Sequence, residues 1–352
     1  MALSTAAMST ALDWRRSRWP RLWRLARIAV ILAGDQPWPQ LPSRVQPRAA
    51  SRAFRSYRGA PIATQAFVAA RIVVSPVGPL GHEGDASGCP DQFRHETRHR
   101  YRRGVLAGAR SDATLRRSWR LFRAFQVEQS DPDRFYSLLA ADSVRQLSTW
   151  APLGGQLVLD VGGGPGYFGA AFRGAGAAYV SVDSDLGELS AVGPPGPGTV
   201  LGSSLALPVR DDAVDVCYSS NVLEHVPRPE RMADEMVRVT RPGGVVFLSW
   251  TTWLSPWGGH ETSPWHYLGG RYAARRFTRR NGRGPKNEYG RTLFAVSARR
   301  MRRWVRRAEA AHRVHLLDAL PRYHPRSAHW IAAVPGVREV ACWNYVLVLE
   351  VR

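Results

Sequence analysis

Four side chains in this 352-residue chain could move a proton. His225 lies just past an apolar stretch, and His260, Glu261 and His266 lie in a segment rich in tryptophan and tyrosine. Imidazole titrates close to neutrality, so a histidine beside a reacting atom can act as a general base. A second group of residues could hold a ligand. Residues 157–167 read LVLDVGGGPGY, an apolar run ending in Asp160 and then glycine at Gly162, Gly163, Gly164 and Gly166. Such a run predicts a buried parallel strand, and the glycines leave room for a nucleotide-bearing molecule at the start of the next helix. Asp183 closes a second apolar run, AYVSVD, about twenty residues on, where a carboxylate can accept from both ribose hydroxyls. For His225 the competing reading is a histidine that packs its turn, and for the other three an ordinary polar loop.

The glycine spacing discriminates between ligands. A dinucleotide fold requires G-x-G-x-x-G, and Tyr167 stands where its third glycine would fall. The pattern present is G-x-G-x-G, and here the chain resembles the class I S-adenosylmethionine-dependent methyltransferases. The run LALPVRDDAVDVCYSSNVLEHV, followed by RVTRPGG, narrows the resemblance to their type 11 branch. It covers about residues 111–352 and is densest from Leu157 to Leu248. The resemblance implies S-adenosyl-L-methionine held by Asp160, Gly162, Gly163, Gly164, Gly166, Asp183, Ser203, Ser204 and Ser219. Ser203 departs from the branch, which has an acid there for the adenine amino group; a hydroxyl makes the weaker bond. In the quinone O-methyltransferases of this branch, an acid three residues before the Glu of a Glu-His pair joins that pair around a metal. Glu224 and His225 are present, but Asn221 holds the earlier position, so no metal is expected.

The elements that must position these residues follow from periodicity. Strands are expected at 157–160, 178–183, 199–202, 213–218 and 244–250, with helices between them near 166–173 and 229–241. Met232, Met236 and Val239 form the buried side of the second of these helices. A helix over about 297–311 should bury Met301, Trp304, Val305 and Ala308, and segments 314–317 and 345–351 should pair at the sheet edge. The expected fold is therefore an α/β, Rossmann-like, seven-stranded and mostly parallel sheet with helices on both faces and an antiparallel last strand. Two helices precede it over 111–150. The first is capped by Ser111 and buries Leu115, Trp119, Phe122 and Phe125; the second is capped by Asp131 with Pro132 in its first turn. The loop after the fifth strand, 251–292, is the expected acceptor-binding insertion.

Composition limits the partners. The net charge is +21, but residues 1–104 hold 17 Arg against 6 acids and 271–307 hold 14 basic residues against Glu288 alone, leaving −3 for the remainder. Residues 1–104 show no sustained periodicity and read as a disordered arm, either an anion-binding extension or translated sequence ahead of a start near Val105. Nucleic acid is not the expected substrate, because no Asn/Asp-Pro-Pro-aromatic run follows the fourth strand and Cys217 lies inside it. The expected partner is a small-molecule or lipid-like methyl acceptor, approached by in-line displacement that needs chiefly positioning. A catalytically silent module that binds RNA or anionic membrane through 271–307 is the alternative. No apolar run is long enough to span a bilayer, peripheral membrane contact is compatible with the charge, and three unpaired cysteines suit a cytoplasmic protein.

Overall fold

Leu157–Val161 forms β1, buried along nearly its whole length, as a strand covered on both faces must be. The structure, a computed structural model, describes residues 113–352 apart from Gln129 and Val192. The arm over 1–104 and the cap expected at Ser111 lie outside the described residues.

Helices α1 (Leu115–Phe125) and α2 (Pro132–Leu147) precede β1; α3 (Tyr167–Gly174), β2 (Ala178–Asp183), α4 (Leu186–Leu189) and β3 (Thr199–Leu201) follow it. Next come β4 (Val214–Ser220), α5 (Pro229–Val239) and β5 (Thr240–Trp250). Helices α6 (Gly270–Asn281) and α7 (Ala298–Ala310) lead to β6 (Val314–Pro321), then α8 (Val337–Ala341) and β7 (Tyr345–Val351). The sheet order is β3-β2-β1-β4-β5-β7-β6. Strands β1 to β5 are parallel to one another, and β7 is antiparallel to both β5 and β6. This is the expected seven-stranded architecture. Chain direction across the sheet reverses between β1 and β4, which opens a crevice at their carboxyl ends. Because β7 alone is reversed, β6 ends and β7 begins at that same edge.

Two cores flank the sheet. Phe135, Leu139 and Leu147 of α2 pack with Phe168 and Phe172 of α3 against Val158, Tyr218 and Phe247. On the other face, Met232, Met236 and Val239 join Met301, Trp304 and Val305 against Leu159, Val246 and Leu248. Those α5 and α7 faces are the ones the periodicity marks.

Three local expectations are corrected. Helix α1 is capped by Thr114, which accepts from Arg117 N–H at 3.2 Å. It buries Leu121 and Ala124, whereas Leu115 and Trp119 are 73% and 59% exposed. Arg117 turns inward, because its guanidinium pairs at 2.6 Å with Asp142, a carboxylate 2% exposed that would be costly to bury alone. The Pro242-Gly243-Gly244 turn is absorbed into β5 as an irregularity: Val214 pairs with Thr240 but Val216 with Val245. Finally, the insertion carries a helix, α6, and β6 runs four residues past Leu317 to bring Arg322 to the crevice.

Candidate active site

The turn leaving β1 is shaped by what lies beneath it. A Cβ on Gly162, whose φ is +83°, would come within 2.3 Å of Val222, so the loop packs directly on the segment that follows β4. Gly166 caps α3 at φ +89° with open space beside it, and the space beside Gly164 is open too. Gly164 N–H donates to Asp183 Oδ2 at 3.0 Å and Asp185 N–H to Oδ1 at 2.9 Å, which fixes the β2 carboxylate against the loop. Asp160 lies under the loop, 2% exposed, and accepts from the Tyr179 hydroxyl at 2.7 Å. Burial pushes its carboxyl up to about 7, against the opposing pull of the Tyr179 bond. Ser219 is buried and donates to Val161 O at 2.8 Å, tying β4 to the end of β1. Exposed Ser203 accepts from Leu205 N–H at 3.2 Å, and Ser204 beside it is partly buried.

The four proton-moving candidates divide into two pairs. His225 and His260 come together, with ring centroids 5.0 Å apart, and Glu224 joins them. Burial first, and the neighbouring His225 second, push the His260 imidazole down to about 4. His266 is buried with Nε2 3.1 Å from Ser255 O and Nδ1 3.3 Å from Ser263 Oγ, so both ring nitrogens are engaged in holding the insertion. Glu261 is exposed and accepts from the Asn287 amide at 3.1 and 3.2 Å.

Beside the loop lies an aromatic pocket. Phe122, Phe125 and Phe135 from α1 and α2 face Trp257 from the insertion and Trp343 ahead of β7, with Asn221, Thr251, Tyr323 and Glu128 supplying polar atoms. Trp257 and Trp343 have centroids 4.4 Å apart, and Phe125 meets Trp257 edge-on at 5.9 Å. Glu128 accepts from the Tyr136 hydroxyl at 2.8 Å, and burial holds its carboxyl above the usual range. Arg322, fully buried, pins the floor by donating to Ser220 Oγ at 2.6 Å, Ser249 Oγ at 2.8 Å, Ser143 Oγ at 2.6 Å and Tyr218 OH at 2.9 Å.

Known methyltransferases resemble this chain. The type 11 family described as "Methyltransferase domain" matches residues 159–248. A protein of Mycobacterium ulcerans (strain Agy99), named an uncharacterized methyltransferase, is 52% identical over 250 residues, which cover 68% of this chain and 96% of that relative. The chain belongs to the type 11 methyltransferases. A Mycolicibacterium gilvum (strain PYR-GCK) relative of the same name is 53% identical over 256 residues, covering 70% of this methyltransferase and 97% of that protein. Among solved structures, an S-adenosylmethionine-dependent methyltransferase from Mesorhizobium loti aligns with a TM-score of 0.40 and 18% identity, over 57% of this chain and 93% of that one.

S-adenosylmethionine is the cofactor, and the residues present fit it. The open space beside Gly164 and Gly166 would give it a bed, and Asp183, at the end of β2, would accept from its ribose. When bound, it supplies an electrophilic methyl on a sulfonium. Asp160 and Ser219 shape the loop from below, since both side chains are spent on protein partners. Sequence reasoning missed Glu128, Tyr323, Trp343 and Arg322. None carries a motif; they meet only because α1, β6 and β7 all reach the same edge. The exception is the aromatic content of α1, which marked Phe122 and Phe125 as buried but not as pocket lining.

Proposed function

We propose that this methyltransferase moves the methyl of S-adenosylmethionine by in-line displacement onto an O, N or C atom of a small, largely apolar molecule held in the aromatic pocket. One observation carries the reading: the segment that follows β4 runs between the cofactor loop and the pocket. Gly162 packs on Val222, and the preceding residue, Asn221, lines the pocket. An acceptor lying against the Trp257 and Phe122 rings would therefore lie beside the loop, where displacement gains most from positioning. In this reading Asp183 and the glycine loop hold the cofactor, with Ser203 and Ser204 toward its adenine. Glu128, its carboxyl raised by burial, accepts a hydrogen bond or proton from the acceptor's reacting group. His225 and His260 group with Glu224 outside the pocket lining, and Glu261 and His266 are engaged with protein partners.

The acceptor class follows from the lining. A mostly aromatic wall with few polar groups suits a flat or lipid-like molecule better than a sugar or a peptide. Peripheral contact with an anionic surface belongs to the same reading, because Trp265, Tyr267, Leu268 and Tyr272 are exposed beside the arginines of α6. A silent binding module is not favoured, since the glycine loop is intact and the relatives are named methyltransferases.

The test uses methyl-labelled S-adenosylmethionine and an extract divided into lipid, small-molecule, protein and RNA fractions. Label should enter the lipid or small-molecule fraction. Trp257→Ala should raise the acceptor KM at least tenfold, the size expected from about 1.5 kcal/mol or more of lost aromatic contact, and leave cofactor affinity unchanged. Label in RNA or protein, or an unchanged KM in Trp257→Ala, would refute the pocket assignment.

A further inference from the structure

Two buried ligand atoms without partners, on Glu224 and His260, converge with the partly exposed ring of His225. Glu224 is 1% exposed; its Oε1 accepts from Thr251 N–H at 3.0 Å, but its Oε2 is buried without a hydrogen-bond partner. His225 Nδ1 lies 2.7 Å from Thr292 O, and a carbonyl can only accept, so the proton sits on Nδ1 and Nε2 presents its lone pair. His260 Nε2 is likewise buried and unpartnered. One ligand atom from each of these residues lies within 4.8 Å of the others. A buried carboxylate oxygen and a buried imidazole nitrogen left bare each cost free energy. A shared cation removes both costs at once.

We propose that Glu224, His225 and His260 form a binding site for one first-row divalent cation of the zinc class, which clamps the 251–292 insertion onto the end of β4. Two imidazoles and one carboxylate suit such an ion, whereas calcium and magnesium prefer all-oxygen sets. The Thr292 carbonyl is the second-sphere partner that orients a ligating histidine. Bonds of about 2.1 Å to the metal place donors about 3.4 Å from one another, so the set would have to draw in from its 4.8 Å limit on binding. This set differs from the one the sequence led us to reject. Asn221 takes no part, because its Oδ1 accepts from Asn344 Nδ2 at 2.8 Å. The third ligand comes from the insertion instead, at a residue held at φ +47°. His260 N–H donates to Trp257 O at 2.9 Å, so a metal here would also fix the tryptophan of the pocket wall.

The experiment uses the full chain without a histidine tag, stripped by chelator and titrated with Zn²⁺ by calorimetry. Metal content is then measured after gel filtration, and the absorption of the Co²⁺ form is recorded. His260→Asn tolerates the left-handed backbone, and Glu224→Gln keeps an acceptor for Thr251 N–H. One equivalent should bind to the wild type. Each variant should bind roughly a hundredfold more weakly, at least the upper end of what losing a second-sphere partner costs, and lose the ligand-field bands of Co²⁺. Cofactor affinity, unchanged, reports that both variants fold. His82, Cys89, His95 and His99 lie outside the described residues, so the decisive quantity is the difference between wild type and variant. Equal Zn²⁺ affinity in wild type and His260→Asn, or no bound ion in the wild type, would overturn the site. Occupancy is read without turnover, so this outcome stands apart from any failure of the acceptor assignment.

Discussion

At the scale of single residues, two carboxylates close to the loop should respond in opposite ways. Asp183 faces open space and holds only backbone donors, so Asp183→Ala should leave the fold intact while removing the acceptor for the ribose hydroxyls. A loss of about 2–3 kcal/mol, roughly a hundredfold in affinity, is expected for hydrogen bonds to a charged group; calorimetry with S-adenosylmethionine would read it, and unchanged affinity would remove Asp183 from the site. Asp160 instead acts through stability. Its folded carboxyl lies near 7 against an ordinary 3.8, so between those values the native state holds a proton that the unfolded chain has released. Stability must then fall as pH rises through that window and level off above it. Asp160→Asn keeps an acceptor for Tyr179 but cannot ionise, so its stability relative to wild type should climb from pH 4 to pH 7 in denaturant titrations. A flat difference would show that Asp160 is ionised throughout. Both carboxylates were legible in the sequence because their evidence is local, an acid at a strand end beside a glycine turn. Their division of labour was not, because it depends on Tyr179 reaching across from β2 to bury one and leave the other open.

At the scale of elements, α1 shows where periodicity fails. Its pattern allows two inward faces, one through Leu115, Trp119 and Phe122 and one through Arg117, Leu121 and Ala124, and burial of apolar area alone selects the first. The second wins because Asp142 of α2, buried 25 residues away in sequence, demands a cation. No local rule contains that partner. The same holds for Arg322, which joins α2, β4 and β5 through four hydroxyls and receives Arg117 on its backbone carbonyl at 3.1 Å. Arg322→Leu would strand those hydroxyls beneath the pocket. A destabilisation on the order of 3 kcal/mol is expected from the loss of several hydrogen bonds to one charge, read as a lower denaturant midpoint with unchanged slope. Arg322→Lys should recover only part of it, because an ammonium cannot span four directions from one plane. If Arg322→Leu were as stable as wild type, the buried guanidinium would not be what holds α2 over the sheet.

At the scale of the whole molecule, charge is separated from chemistry. The crevice is built from aromatic and neutral polar groups around a few carboxylates, while the arginines of α6 and α7 face outward in number. Some are committed: Arg300 pairs with Glu230, and Arg276 stacks 3.8 Å over Trp265. Arg271, Arg275 and Arg279 instead line an open surface cleft, with Tyr272 exposed on α6 and Leu268 and Tyr267 exposed on the adjoining turn. Cations beside exposed aromatic and aliphatic side chains are what an anionic bilayer surface binds, charge to headgroup and ring to interface. No helix among the described residues is long and apolar enough to cross a membrane. The protein should therefore sediment with vesicles rich in phosphatidylserine and not with neutral ones. Raising salt from about 0.1 M to about 1 M shortens the Debye length from about 10 Å to about 3 Å and should release it. Each arginine near such a surface contributes about 1 kcal/mol, so replacing Arg275 and Arg279 together by Gln should cost about 2 kcal/mol, roughly thirtyfold in partitioning. Cofactor affinity should not change, since the cleft is built from α6 and residues 284–289 and includes none of the glycine loop. Equal binding to neutral vesicles, or a double variant that partitions like wild type, would assign this charge to no membrane and leave the acceptor to arrive from solution.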